Sequence, residues 1–138
     1  MSITILHATD LSENHFDMCE RAVDLAKKLN AKLYLLHMVE TPSTMVLAQG
    51  LGFTEIESPE PLLEDARSVM ALLGETFGIP KKQLLIELGT PKQRILQKEA
   101  DLACQMIIVG HHSTNPMLGN TARSVVDDAK CDVLTLKS

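Results

Sequence analysis

The chain has 138 residues, 45% hydrophobic and 22% charged, a length and balance that suit one domain over residues 1–138 with a single core. Thirteen basic against 18 acidic side chains give a net charge of −5, and aromatics make up only 3% with no Trp, so the surface of a nucleic-acid binder is missing on both electrostatic and stacking grounds. No apolar run approaches the roughly 20 residues that span a bilayer, and Met1–Leu6 lacks the basic n-region and cleavage site of a signal peptide, so the expectation is a soluble cytoplasmic chain with no membrane partner.

A first apolar run, Ile3–Ala8, predicts a strand. Phe16, Cys19, Ala22, Val23, Ala26 and Leu29 then fall on one face at helical spacing, with Ser12 placed to cap the start and Asn30 to take the left-handed turn at the end. Leu33–Met38 predicts a second strand. Residues Val39 to Pro61 hold Pro42, Gly50, Gly52 and Pro59 and are too many for an ordinary connection. They predict a lid or a partly helical insertion, with a short helix at Met45-Val-Leu-Ala.

A second long helix carries Leu62, Ala66, Val69, Met70, Leu73 and Phe77 and is stopped by Gly78 and Pro80. Leu84–Leu88 predicts the third strand. Thr90-Pro91 opens the next helix as a capping residue followed by proline, with Ile95, Leu96, Ala100 and Ala103 as its apolar positions. Met106–Val109 predicts the fourth strand. A last helix runs from about Thr121 through Ala122, Val125, Val126 and Ala129, before the strand Val133–Leu136. Strands that are nearly continuous in apolar residues and alternate with helices imply an open α/β parallel sheet covered on both faces.

In such a sheet ligands bind beyond the carboxyl ends of the strands, where the strand order reverses. Those ends are Ala8-Thr9-Asp10, His37-Met38-Val39, Gly89-Thr90 and Gly110-His111-His112. Asp10 has two readings of equal standing, a carboxylate facing a ribose hydroxyl or a metal-bound phosphate, and an acidic residue favoured by a helix dipole. Gly110-His-His-Ser113 with Gly119-Asn120-Thr121 opening the last helix has the parts of a phosphate cradle. The same residues also describe a strand-end turn and a capped helix, the commoner origin of so short a pattern.

His111 and His112 are adjacent on a loop with no Cys, Asp or Glu at ligand spacing, so no metal site is expected. His7 and His37 lie in strands and are expected as polar-bonded core residues, and His15 as a solvated residue of the first helical turn. Ser113 beside His112 is a sequence neighbour, not a nucleophile–base pair. Cys19, Cys104 and Cys131 form no framework and read as small buried hydrophobes. Most of the seven methionines read as gap-filling core residues, while Met38 and Val109, ending strands at the crevice, are placed near an apolar ligand face.

Taken in order, these residues resemble the universal stress protein family over essentially the whole chain. The resemblance runs from Ile5-Leu-His-Ala-Thr-Asp10-Leu-Ser12 through Ala31-Lys-Leu-Tyr-Leu-Leu-His37-Met38, Gly89-Thr-Pro91 and Ile107-Ile-Val-Gly110-His-His112. Its most specific part is Leu118-Gly-Asn-Thr-Ala-Arg-Ser-Val-Val126 followed by Ala129-Lys-Cys-Asp-Val-Leu134. It implies a five-stranded parallel sheet of order 3-2-1-4-5 with helices on both faces (adenine nucleotide alpha hydrolase-like), and a homodimer built by antiparallel pairing of the last strands.

Family members that bind nucleotide resemble G-x2-G-x9-G-(S/T). Here Gly110 matches the first glycine, Ser113 replaces the second, and only five residues separate it from Gly119. Asn120 stands in place of the serine or threonine, and Gly110-His-His is similar to the A-type members, which generally lack ATP binding. The site residues so implied are Ala8, Thr9, Asp10, Met38, Val109, Gly110, His111, Ser113, Gly119, Asn120 and Thr121. Asp10 would meet ribose or phosphate-bound metal, Met38 and Val109 would flank adenine, and Gly110, Gly119, Asn120 and Thr121 would meet phosphate.

The resulting expectation is a homodimeric stress-response regulator or scaffold with a degenerate adenine-nucleotide site. It is not an enzyme, requires no cofactor, has weak or no ATP binding, and acts through an unknown protein partner. The alternative is a regulatory protein that binds AMP, or ATP with magnesium, with at most slow ATPase activity.

Overall fold

A computed structural model describes residues 3–9, 15–39, 60–111 and 116–137, with the backbone alone at 60, 62, 111 and 116–121. In chain order the elements are β1 (Thr4–Thr9), α1 (His15–Lys28), β2 (Lys32–Val39), α2 (Glu60–Phe77), a single 3-10 turn (Lys81–Gln83), β3 (Leu84–Leu88), α3 (Pro91–Leu102), β4 (Met106–His111), α4 (Pro116–Asp128) and β5 (Asp132–Lys137). The insertion expected after Val39, with its short helix at 45–48, falls at 40–59, and the Ser12 cap, Asp10, His112 and Ser113 also lie outside the described residues.

All four strand pairings are parallel, and the order is β3-β2-β1-β4-β5, so the chain winds outward from β1 first to one side and then to the other. Ile5, Leu33, Leu35 and Ile108 point to one face, where α1 supplies Met18, Cys19, Ala22, Val23 and Ala26 and α2 supplies Met70 and Leu73. Leu6, Leu36, Met38, Ile107 and Val109 point to the other, under Ile95 of α3 and Ala122 and Val125 of α4. Each such side chain contributes about 1.5–3 kcal/mol by leaving water, which is why β1, β2 and β4 read as nearly unbroken apolar runs.

Local signals are met where chain geometry alone decides. Asn30 ends α1 at φ +52° and Gly78 ends α2 at φ +69°, both in the left-handed region that stops a helix. Thr90 sits at the cap of α3 with Pro91 behind it, but its side chain makes no cap bond; its carbonyl accepts the Arg94 N–H at 3.1 Å.

Several expected burial positions are corrected. Phe16 is 46% exposed and lies tilted against Phe77, centroids 5.0 Å apart, because it sits in the first turn of α1, at the rim of the core. Leu29, in the turn that follows α1, is exposed too, and Met18 takes the inward place. Ala100 of α3 is exposed, Ala103 is the exposed left-handed residue that caps its end, and Glu99 occupies the buried stripe instead. Val126 is 50% exposed, since it stands over the edge strand β5 and lines an open groove with Ala122, Arg123, Asp127, Thr135 and Lys137.

The largest correction concerns the start of the last helix. It begins at Pro116, not near Thr121, so Gly119, Asn120 and Thr121 lie within its first two turns instead of opening it. Proline is favoured at a first helical position because its missing N–H is one that the helix leaves unbonded.

Candidate functional site

The reversal of strand order beside β1 places the candidate site at the carboxyl ends of β1, β2 and β4. In register, Ala8 of β1 lies beside Leu36 on one side and Val109 on the other. Ala8, Met38 and Val109 share the α3/α4 face and belong to one apolar cluster. Their position at the strand ends places Met38 and Val109 near an apolar ligand face, which the family resemblance makes an adenine face. The fold brings them to the same end of the same face, at 8% and 4% exposure, so both are packed as core.

The opposite face at this end is polar beneath an apolar cover. His37 is opposite Thr9 and donates from Nδ1 to the Thr9 carbonyl at 2.9 Å; His7 is opposite Ile108 and donates from Nδ1 to its carbonyl at 3.1 Å. A carbonyl oxygen can only accept, so each bond assigns the ring proton to Nδ1. Both histidines are buried, as expected of polar-bonded core residues. Thr9 is also buried, and its backbone serves the site by orienting His37.

Gly110 has a reason for being glycine that motif reasoning missed. A Cβ there would stand 2.5 Å from Met18 Sδ and 3.1 Å from its Cε, so α1 packs its thioether directly onto the β4 backbone. Any ligand reaching Gly110 therefore approaches from the side away from Met18. The sequence carries only one half of this contact: Met18 lies four residues before Ala22 on the buried stripe of α1. His111 ends β4.

The phosphate cradle meets a constraint from helix geometry. The free N–H groups of a helix are those of its cap and first three residues. With Pro116 first and carrying no N–H, the free amides within α4 are those of Met117 and Leu118, while Gly119, Asn120 and Thr121 enter the helical ladder. Among the described residues no group of three or more His, Cys, Asp or Glu side chains is placed to hold a metal ion, and no helix is long and apolar enough to cross a membrane.

Sequence reasoning also missed a polar cluster at the opposite, amino end of the sheet. Glu99 of α3 is only 7% exposed, and its Oε1 accepts the Lys130 N–H at 2.7 Å. The Cys131 thiol donates to the Asp132 carbonyl at 3.5 Å, and burial, together with the Glu99 carboxylate, pushes the Cys131 and Cys104 thiols up to about 12 and about 11. The available clue was position 99, four residues after Ile95 on the inward stripe of α3.

An open, doubly wound parallel sheet with its order reversing at β1 and a close-packed glycine at the end of β4 defines the class: an α/β domain with one topological crevice. The chain belongs to the universal stress protein family, whose family model matches residues 1–137. Universal stress protein A homolog 2 of Coxiella burnetii is 31% identical over 123 residues, covering 87% of this chain and 84% of that protein. The structure of universal stress protein UspA from Lactobacillus plantarum superposes with a TM-score of 0.75 at 22% identity, over 97% of each chain. A universal stress protein solved in complex with cAMP gives a TM-score of 0.67 at 18% identity, over 99% of this chain and 97% of that one. At those identities the structural likenesses establish the fold.

Proposed function

We propose that this chain is a cytoplasmic, homodimeric stress-response regulator that works through a protein partner and holds adenine nucleotide weakly or not at all. The observation that carries this reading is the start of α4 at Pro116, which commits the Gly119 to Thr121 amides to the helix. A triphosphate needs several convergent N–H donors, and proline at the first position removes one more. The packing of Met38 and Val109 agrees, because an adenine ring would have to displace side chains already out of water. Ser113 in place of the second loop glycine and Asn120 in place of a hydroxyl residue point the same way. With no positioned base and charge clamp among these residues, phosphoryl transfer is not the expected activity.

The dimer part rests on β5. It is an edge strand, its Leu134 is 37% exposed, and an uncovered apolar edge is an aggregation hazard that antiparallel pairing with a second copy would remove. A second reading, a regulator that binds AMP or ATP with magnesium, draws on the relative solved with cAMP and on Gly110 at the strand reversal. Both parts are tested on one preparation. Light scattering during gel filtration should give a dimer mass, and acid extraction should release less than a tenth of an equivalent of adenine nucleotide. A stoichiometric nucleotide yield would favour the second reading, and a monomer mass would remove the dimer.

A further inference from the structure

At the edge of the sheet away from β5, β3 pairs only with β2 among the described residues. It reads Leu-Leu-Ile-Glu-Leu, and all five residues are half-buried. The Gly89 N–H donates to the Val39 carbonyl at 3.3 Å, which turns the N–H and C=O groups of Leu85, Glu87 and Gly89 towards β2. By strand alternation those of Ile86 and Leu88 point outwards, as does the Leu84 carbonyl. The Leu84 N–H is taken by the Lys81 carbonyl. Leu84 and Ile86 pack on the α1/α2 face, where Leu88 follows at the next even step. Over Leu84, α2 places Gly74, so no long side chain overhangs that end of the edge.

Edges are ordinarily blunted by proline, a bulge or an outward charge. β3 holds no proline, and its one charged residue, Glu87, is drawn onto α3 by Lys98 at 2.8 Å. Cations stand at both ends of the strand. Lys81 and Lys82 are exposed just before it. Arg94 lies against Gly89 just after it, its Nε 3.1 Å from where a Cβ would stand. In a chain of net charge −5 this rim is locally basic. A second copy added antiparallel about Ile86 would bring Lys81 and Lys82 of one chain towards Arg94 of the other, so like charges oppose self-pairing here.

We propose that the β3 edge docks an extended segment of another protein as a sixth strand, with apolar residues at alternate positions and acidic residues at both ends. The outward N–H and C=O groups of Ile86 and Leu88 supply the main-chain bonds. Leu84, Ile86 and Leu88 meet the apolar positions on one face, and Lys81, Lys82 and Arg94 select the acidic flanks. This inference rests on the reading that the chain works through a protein partner, and it leaves β5 to the second copy.

The test follows amide hydrogen exchange by NMR in the nucleotide-free full chain, titrated with the acetylated peptide Asp-Glu-Val-Thr-Val-Thr-Val-Glu-Asp. The Ile86 and Leu88 amides should exchange faster than those of Leu85 and Glu87 in the free chain, and slow about tenfold or more at saturation. Lys81→Glu with Lys82→Glu, both on the surface, should weaken binding about tenfold, and so should lysine in place of the peptide's acidic residues. Ile86→Pro removes an N–H that faces away from β2 and should abolish binding while the inner ladder stays protected. Ile86 and Leu88 amides as protected as their neighbours in the free chain would show the edge already covered and overturn the proposal. Slowing confined to β5, equal affinity for the lysine peptide, or no saturation below millimolar concentration would overturn it too. Any of these in a nucleotide-free chain removes this surface alone, whereas a stoichiometric nucleotide yield removes the reading beneath it.

Discussion

The contact between Met18 and Gly110 yields a prediction that joins packing to the crevice. Gly110→Ala places a methyl 2.5 Å from Met18 Sδ, more than 1 Å inside an ordinary contact. Because Met18 is buried, its thioether has little free volume to enter, and overpacking of this kind costs about 1–3 kcal/mol. Met18→Ala alone opens a cavity and costs about 2–5 kcal/mol. In the double variant the new methyl occupies part of that cavity. The two costs should then fail to add, with a coupling of about 1–2 kcal/mol in favour of the double variant. Urea unfolding of the four proteins at one fixed concentration measures this through the midpoint at constant slope. Additivity within about 0.5 kcal/mol would refute the reasoning, showing that Gly110 is not glycine for the sake of Met18.

Burial pushes the Cys19 thiol from 9.0 up to about 12, so its stabilising contribution is intact below pH 9 and is lost as pH rises towards 12. The stability gap between the unmodified chain and Cys19→Ala should therefore change by about 1.4 kcal/mol against the unmodified chain from pH 8 to pH 10, as urea melts would read; a constant gap would contradict it. Gly74→Ala puts a Cβ 2.7 Å from Leu84 Cδ1 and 3.1 Å from the Ile79 carbonyl oxygen. It should destabilise by about 1 kcal/mol in thermal or urea unfolding, although alanine is the better helix former, and a gain in stability would mean that α2 moves freely off β3. Leu134→Glu charges the exposed apolar position of the edge strand and should shift light-scattering mass from dimer to monomer with little change in far-UV circular dichroism; a persistent dimer would place the interface elsewhere.

The architecture was legible because strand and helix periods are written in residues that have only one way to leave water. Ile5, Leu6, Leu35, Leu36, Ile107 and Ile108 make strands covered on both faces, and Ala22, Val23 and Ala26 make a helix that covers them. Asn30 and Gly78 mark helix ends through backbone sterics, which need no tertiary knowledge.

What periodicity cannot carry is where an element stops covering its neighbour. Phe16 and Val126 obey the helical pattern yet lie where the sheet's margin leaves them exposed. Glu99 is a charged residue on the inward stripe of α3, held there because the Lys130 N–H reaches it from 31 residues along the chain. The start of α4 was misplaced because Gly119, Asn120 and Thr121 all resemble an opening, whereas Pro116 is the residue with a physical reason to be first. The strand ends around Ala8, Met38 and Val109 were found from topology alone. That Met18 closes one side of Gly110 is a distance across the core, which no local motif encodes.

The central claim is that this crevice lacks a working phosphate cradle, and calorimetric titration of the purified chain, free of co-purified nucleotide, with ATP, ADP and AMP, with and without magnesium, tests it most directly. The account predicts no saturable heat for ATP below millimolar concentration, and no gain on adding magnesium. Saturable micromolar binding of ATP, strengthened by magnesium, would contradict it and make the protein a nucleotide-linked regulator.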